Sequence, residues 1–255
     1  MTDAIPGAIN AATRDPWLAG VDGCRTGWIA AFVRPAGAEV RVRVVPRFAD
    51  VLGSAEAPAI AAVDIPIGLP DRIGPDGRGP EQKIRPLLGA RQSSVFSVPP
   101  RAAIFAADFA AACAASLAAS DPPRKVSKQL YMIAPKIREV DAVLRADPAL
   151  AARVYEVHPE LAFWRLNGEH ALAEPKKVKG TGYAPGLALR RALLIAAGLP
   201  ASLVEAKPPA GAGADDLLDA LACAAVARGL HAGTAQPFPD PPGRDAFGLP
   251  VAIWV

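Results

Sequence analysis

The stretch Leu18-Ala19-Gly20-Val21-Asp22-Gly23-Cys24-Arg25-Thr26-Gly27-Trp28 carries the decisive signal for the fold. Leu18 to Val21 is uninterrupted small and branched apolar sequence closed by an acid, which reads as a central strand covered on both faces. Gly23 to Gly27 is turn chemistry, and Trp28 to Arg34 resumes an apolar run, so the turn joins two strands and not a strand and a helix. That placement excludes both a Walker loop and a dinucleotide fingerprint, each of which opens a helix. Outward from this hairpin, Glu39 to Pro46 alternates Val40, Val42 and Val44 with Arg41 and Arg43. One face is therefore buried and one wet, as toward a sheet edge. The three runs together predict an antiparallel meander.

Ala59 to Asp64 is a second continuous apolar run closed by an acid, and Pro66 ends any ladder there. It reads as a second buried strand parallel to the first, after a short helix at Phe48 to Leu52. The chain then becomes Gly- and Pro-rich from Arg72 to Pro80 and helical near Glu81 to Leu88, Ala102 to Ala119 and Ser127 to Leu144. Arg153 to Val157 is a further strand. Pro159 to Leu166 and Pro185 to Ala197 are helices with proline in the first turn. Glu205 to Ala214 reads as a linker, and Asp215 to Leu230 as a strong helix with acids at its start and Arg228-Gly229 near its end. Pro237 to Gly243 is expected to be an irregular connection to a last strand at Val251 to Val255.

The 255 residues are 51% apolar and 21% charged, which describes a packed globule. No run reaches the roughly 18 apolar residues of a membrane span. Residues 1–16 lack the basic start and apolar block of a secretory signal, so they are expected to be a loose tail on a cytoplasmic protein. The three cysteines, Cys24, Cys113 and Cys223, are far apart and odd in number, hence expected as buried small apolars and not as disulfides or zinc ligands. The net charge of +3 is too small to indicate nucleic acid by itself. Its distribution is uneven. Asp71 to Arg138 holds eleven Lys and Arg against five Asp and Glu, a surplus of six that leaves a deficit of three elsewhere. A basic middle segment suits an anionic ligand.

Acidic residues interrupt four elements that have every other reason to be apolar. Asp22 and Asp64 close the two buried strands, Glu156 sits in Val154-Tyr155-Glu156-Val157, and Asp216 and Asp219 lie three apart on one helix face. Strand ends of an open α/β sheet form a ligand crevice. Carboxylates crowded there repel, and a divalent cation keeps them ionised together. Oxygen ligands suit Mg²⁺ or Mn²⁺. Taken singly, each acid has a plainer role as a turn residue, a cap or an outward-facing edge residue; the metal reading comes from their conjunction. His158, two residues from Glu156, is a candidate for proton transfer.

Five motifs in order, Gly20 to Trp28, Val63-Asp64-Ile65-Pro66-Ile67-Gly68-Leu69-Pro70, Gly89-x-Arg91-x-Ser93-Ser94-Val95-Phe96, Val154 to Glu160 and Asp215-Asp216-x-x-Asp219-Ala220-Leu221, resemble a domain-of-unknown-function family of predicted nucleases. The resemblance spans about residues 18–230 and implies an RNase H-like fold. That fold is an α/β mixed five-stranded sheet with helices on both faces and a helical insertion after the fourth strand, here at about 71–150 of a single domain over 17–255. It also implies that Asp22, Asp64 and the Asp216/Asp219 helix correspond to the acidic cluster of RuvC-type resolvases. Asp64 is the departure, since a resolvase has Glu there, and Glu156 is expected to compensate.

On this reading Asp22, Asp64, Glu156, Asp216 and Asp219 hold two cations about 3.5 to 4 Å apart that activate water for phosphodiester hydrolysis. Arg25, Arg91, Ser93, Ser94, Lys176 and Lys177 are the candidate contacts to a nucleic acid or other phosphate-containing substrate. Two alternatives stay open: a non-catalytic nucleic-acid or anion-binding module on the same fold, and a nucleotide phosphohydrolase, because the Gly20 to Gly27 turn also resembles the phosphate-binding hairpin of actin-like ATPases.

Overall fold

The computed structural model describes residues 15–36, 39–75 and 77–255; most of the expected N-terminal tail lies outside them, as does Asp76 of the basic segment. Strand β1 (Leu18–Cys24) pairs antiparallel with β2 (Gly27–Val33), and β2 with β3 (Val40–Val45). After α1 (Phe48–Leu52), β4 (Ile60–Val63) returns parallel to β1 in the register Val21↔Val63. The helices α2 (Gly79–Ile84), α3 (Arg101–Ile104), α4 (Phe109–Ala118) and α5 (Lys128–Ala146) fill the chain before β5 (Val154–Glu156), which pairs parallel to β4. The result is a mixed five-stranded sheet in the order β3-β2-β1-β4-β5. Beyond it come α6 (Pro159–Leu166), a small hairpin of β6 (Lys177–Val178) and β7 (Thr181–Gly182), then α7 (Ala184–Ala196), α8 (Ala201–Val204) and α9 (Ala214–Ala232). A second hairpin, β8 (Pro237–Arg244) and β9 (Pro250–Trp254), follows.

Strand alternation divides the interior into two layers. Ala19, Val21, Ala30, Phe32, Ala61 and Val63 face a core with Phe48 of α1, Ile104 of α3 and Ile137 and Val140 of α5. Leu18, Cys24, Ile29, Ala31 and Ala62 face the other way, onto Phe163 of α6, Leu194 of α7 and the Leu217 to Ala227 stretch of α9. All three cysteines are buried and free, as their spacing indicates. No helix among the described residues is long and apolar enough to cross a membrane.

Three expectations are corrected. Ala102 to Ala119 is not one helix, because Asp108 caps α4, its Oδ1 accepting from the Ala111 N–H at 2.8 Å, and so breaks it from α3. The helix expected over Glu81 to Leu88 is α-helical only to Ile84 and then tightens to a 3₁₀ path over Arg85–Ser94. Pro86 has no N–H to return to Gln82. Pro237 to Gly243, expected as an irregular connection, is strand β8: Phe238 lies opposite Ile253, and a register shift between Phe238 and Gly243 accommodates the prolines.

Helix α9 lies directly across β1. A Cβ placed on Gly20 would sit 2.0 Å from the Ala224 nitrogen and 2.2 Å from the Ala220 carbonyl oxygen, both backbone atoms that cannot turn aside. Gly20 is therefore the contact that sets the spacing between helix and sheet. Gly20→Ala is expected to lower unfolding stability by about 3 kcal/mol or more, since overpacking usually costs about 1 to 3 and here no side chain can yield. Urea denaturation checks this, and a loss below about 1 kcal/mol would mean the helix can shift freely.

Candidate metal centre

The parallel register brings the C-terminal ends of β1 and β4 together. The Asp64 N–H donates to the Val21 carbonyl at 2.9 Å, so Asp22 and Asp64 are neighbours across the ladder with matching parity, and both face α9. Asp219, on the first turns of α9, meets them. One carboxylate oxygen from each of Asp22, Asp64 and Asp219 lies within 4.8 Å of the others. Asp22 is 8% exposed and Asp219 2%. Asp22 Oδ1 accepts from the Gly23 N–H at 2.7 Å. Asp219 Oδ2 accepts from the Lys176 ammonium, and Asp219 Oδ1 is buried with no partner.

The electrostatics follow from this crowding. Burial first, and then the neighbouring carboxylates, push Asp22 well above the usual carboxylate range. The same two causes bring Asp64 up to about 7, and burial raises Asp219 against the opposing pull of Lys176. Lys176 is raised in turn by the three acids, above all Asp219, despite its own burial. The donor set is all oxygen, one buried lone-pair site is unused, and the carboxylates repel one another, so the residues fit a hard divalent cation.

Glu156 and Asp216, also expected as ligands, are outside this triad. Glu156 lies opposite Val63 in the ladder, so parity turns it to the other face of the sheet. There Oε1 accepts from Arg78 at 2.5 Å and Oε2 from the Ile67 N–H at 2.7 Å. Burial nonetheless raises it to about 7. Asp216 Oδ2 instead accepts from the Gly213 N–H at 2.8 Å, closing the start of its own helix. Asp215 pairs with Lys177 at 2.5 Å.

These groups line one cleft of about 760 Å³ that also takes in Arg91, Ser93, Ser94, His158, Lys176 and Lys177. Arg25 is exposed in the β1–β2 turn and is not among the lining residues. His158 Nε2 lies 3.3 Å from the Ser94 carbonyl, so Nε2 carries the proton and Nδ1, buried and unpartnered, is the basic nitrogen. Burial lowers His158 to about 4, which keeps the ring neutral at pH 7. The basic segment does not form a single clamp over the cleft. Arg78, Arg85, Arg101, Lys136 and Arg138 each bond backbone oxygens or acids within the fold, and of the segment's cations only Arg78, Arg91 and Lys136 line the cleft among the described residues.

Two buried ion pairs escaped the sequence reading. Arg78 donates to the Ile67 and Gly68 carbonyls at 2.8 and 2.9 Å while bonding Glu81 and Glu156, and so grips the turn that follows Asp64. Arg190 of α7 meets Glu160 of α6 in a two-point contact at 2.6 and 2.8 Å and donates to the Glu174 carbonyl at 3.1 Å, which fixes the chain just before Lys176. Pro80 and Glu81 after Arg78 were a legible helix start. Nothing local marks Arg190.

Residues 20–244 match the family described as Protein of unknown function (DUF429). The chain belongs to this family. No curated protein and no solved structure matches it. In this DUF429 protein, the match runs from the glycine under α9 to the end of β8, and so includes every residue of the triad.

The raised carboxyls dictate a pH response. Asp64 and Glu156 hold a proton more tightly in the folded chain than when unfolded, so the stability they contribute is complete below about pH 4 and is lost as pH rises through about 7. In metal-free buffer, Asp64→Asn should therefore gain on wild type in urea midpoint between pH 5 and 8. A difference that stays constant across that window would show that Asp64 titrates normally.

Proposed function

We propose that this protein is a metal-dependent phosphodiester hydrolase with an RNase H-like fold, its metal Mg²⁺ or Mn²⁺. The observation that carries the reading is the convergence of Asp22, Asp64 and Asp219 from three chain-distant elements, with a buried oxygen of Asp219 left unpartnered. The strand order β3-β2-β1-β4-β5, with acids at the ends of two adjacent parallel strands and on the helix above them, supports the fold assignment.

Asp22, Asp64 and Asp219 would hold the metal, which supplies charge neutralisation at the phosphoryl oxygens and an activated water. Arg91 lines the cleft with its Nε buried and without a partner, so its guanidinium would hold two non-bridging oxygens bidentately. Ser93 and Lys177 also line the cleft. His158 acts as a neutral hydrogen-bond acceptor through Nδ1 and not as a store for a proton at pH 7. The Arg78–Glu156 contact holds the turn after Asp64 in place while the site fills.

The cleft volume favours one further reading of the substrate. About 760 Å³ is within the range of small-molecule sites, and Arg78, Arg85, Arg101, Lys136 and Arg138 of the basic segment are bonded within the fold, so a nucleotide-sized phosphate ester fits as well as a polymer.

Wild type should cleave a phosphodiester only with Mg²⁺ or Mn²⁺. Asp219→Asn should lower that rate by about 100-fold or more, the scale of losing one charge-stabilising group, and Asp22→Asn should remove Mn²⁺ binding in calorimetry. Oligonucleotide duplexes, junctions, single strands and a small phosphodiester, tested in parallel, separate a nuclease from a nucleotide phosphohydrolase. Equal turnover in excess chelator, or equal Mn²⁺ affinity for wild type and Asp22→Asn, would remove the metal-hydrolase reading.

A further inference from the structure

Lys176 stands where the cluster needs compensation. Its ammonium bonds Asp219, and its charge acts on Asp22 and Asp64 as well. The chain behind it is pinned: Arg190 holds the Glu174 carbonyl, and Gly186 of α7 approaches Pro175 so closely that a Cβ there would meet the Pro175 oxygen at 1.9 Å. Ahead of it the β6–β7 hairpin is exposed at Lys177, Val178, Thr181 and Gly182. A pinned backbone with a long flexible side chain leaves the ammonium as the part that can move.

An ammonium bonded to Asp219 and a divalent ion held by the same three carboxylates are like charges a few ångströms apart in a half-buried site, where repulsion is strong. Of the two, the ion has the greater charge, and the lysine has an open cleft to turn into. A monovalent cation offers the cluster no more charge than the ammonium already supplies.

We propose that Lys176 is a resident counter-cation that a divalent ion must displace from Asp219, so that metal entry selects against monovalent ions and releases the ammonium into the cleft for substrate phosphate. This inference rests on the metal reading above and adds the rule by which the site admits its ion. Lys176 is thus both a brake on metal affinity and, once displaced, a substrate contact. Removing it should strengthen metal binding, the opposite of what loss of a structural residue would do.

Calorimetry with MnCl₂ on wild type and Lys176→Met, which keeps a comparable stem, is the direct test. Lys176→Met is expected to bind Mn²⁺ about tenfold more tightly or better. Binding by both proteins with equal or weaker affinity in Lys176→Met overturns the inference and leaves the metal reading standing. No binding by either removes both. A second measurement needs only the wild-type chain, should Lys176→Met not fold. Reductive methylation read by mass spectrometry should label Lys176 more in saturating Mn²⁺ than in chelator, with exposed Lys179 as the internal reference. Labelling of Lys176 that is unchanged or reduced by Mn²⁺ overturns the inference.

Discussion

The close passage of α9 over β1 at Gly20 is the constraint on which the rest depends. Ala220 and Ala224, one turn apart, present backbone atoms to a strand residue with no side chain, and the helix descends to the sheet. Asp219, adjacent to that contact, is carried down with the helix to meet Asp22, two residues along the strand. The burial of an acid that sequence alone would leave in water is thus a product of backbone proximity. A bulkier residue at Gly20 would lift the helix and separate the carboxylates before it touched any of them.

Charge inside the molecule is then handled in two different ways. Arg78 with Glu81 and Glu156, and Arg190 with Glu160, are closed arrangements in which nearly every hydrogen-bonding atom has a partner. Buried pairs of this kind add little net stability relative to apolar packing, yet losing one partner is costly, so they fix position firmly. What they fix are the turn after Asp64 and the chain before Lys176. The triad is the contrasting case: three acids share one lysine, and an oxygen of Asp219 has no partner. The fold holds its saturated pairs as a frame around an unsaturated one.

The central part of the sheet was legible because strand and turn chemistry alternate cleanly there. Asp22 and Asp64 could be placed at strand ends from apolar runs closed by an acid, and Asp219 stood out because a charge one turn into an apolar helix needs a reason. Glu156 misled for a physical cause: being near a strand end does not say which face a side chain takes, and the Val63↔Glu156 register that decides it is a property of the paired strands. The prolines of β8 misled because a tolerant edge strand pairs despite them. Surplus basic charge between Asp71 and Arg138 suits an anionic ligand, but a count of charges carries no information about which are already bonded. Lys176 and Lys177 are indistinguishable neighbours in the sequence, and only the folded chain shows that Lys176 faces Asp219 while Lys177 faces Asp215.

The topology of the cluster also orders its making. Asp22 comes from the first strand of the sheet, Asp64 from a strand that must return parallel to it, and Asp219 from a helix that follows all five strands of that sheet. Contacts so distant along the chain form late, after the loop-closure entropy between them has been met. Until α9 docks, Asp22 and Asp64 can face solvent and share no low-dielectric pocket. A nascent or partly unfolded chain therefore presents no assembled cation trap, and the cluster comes into being in the same cooperative step that completes the fold.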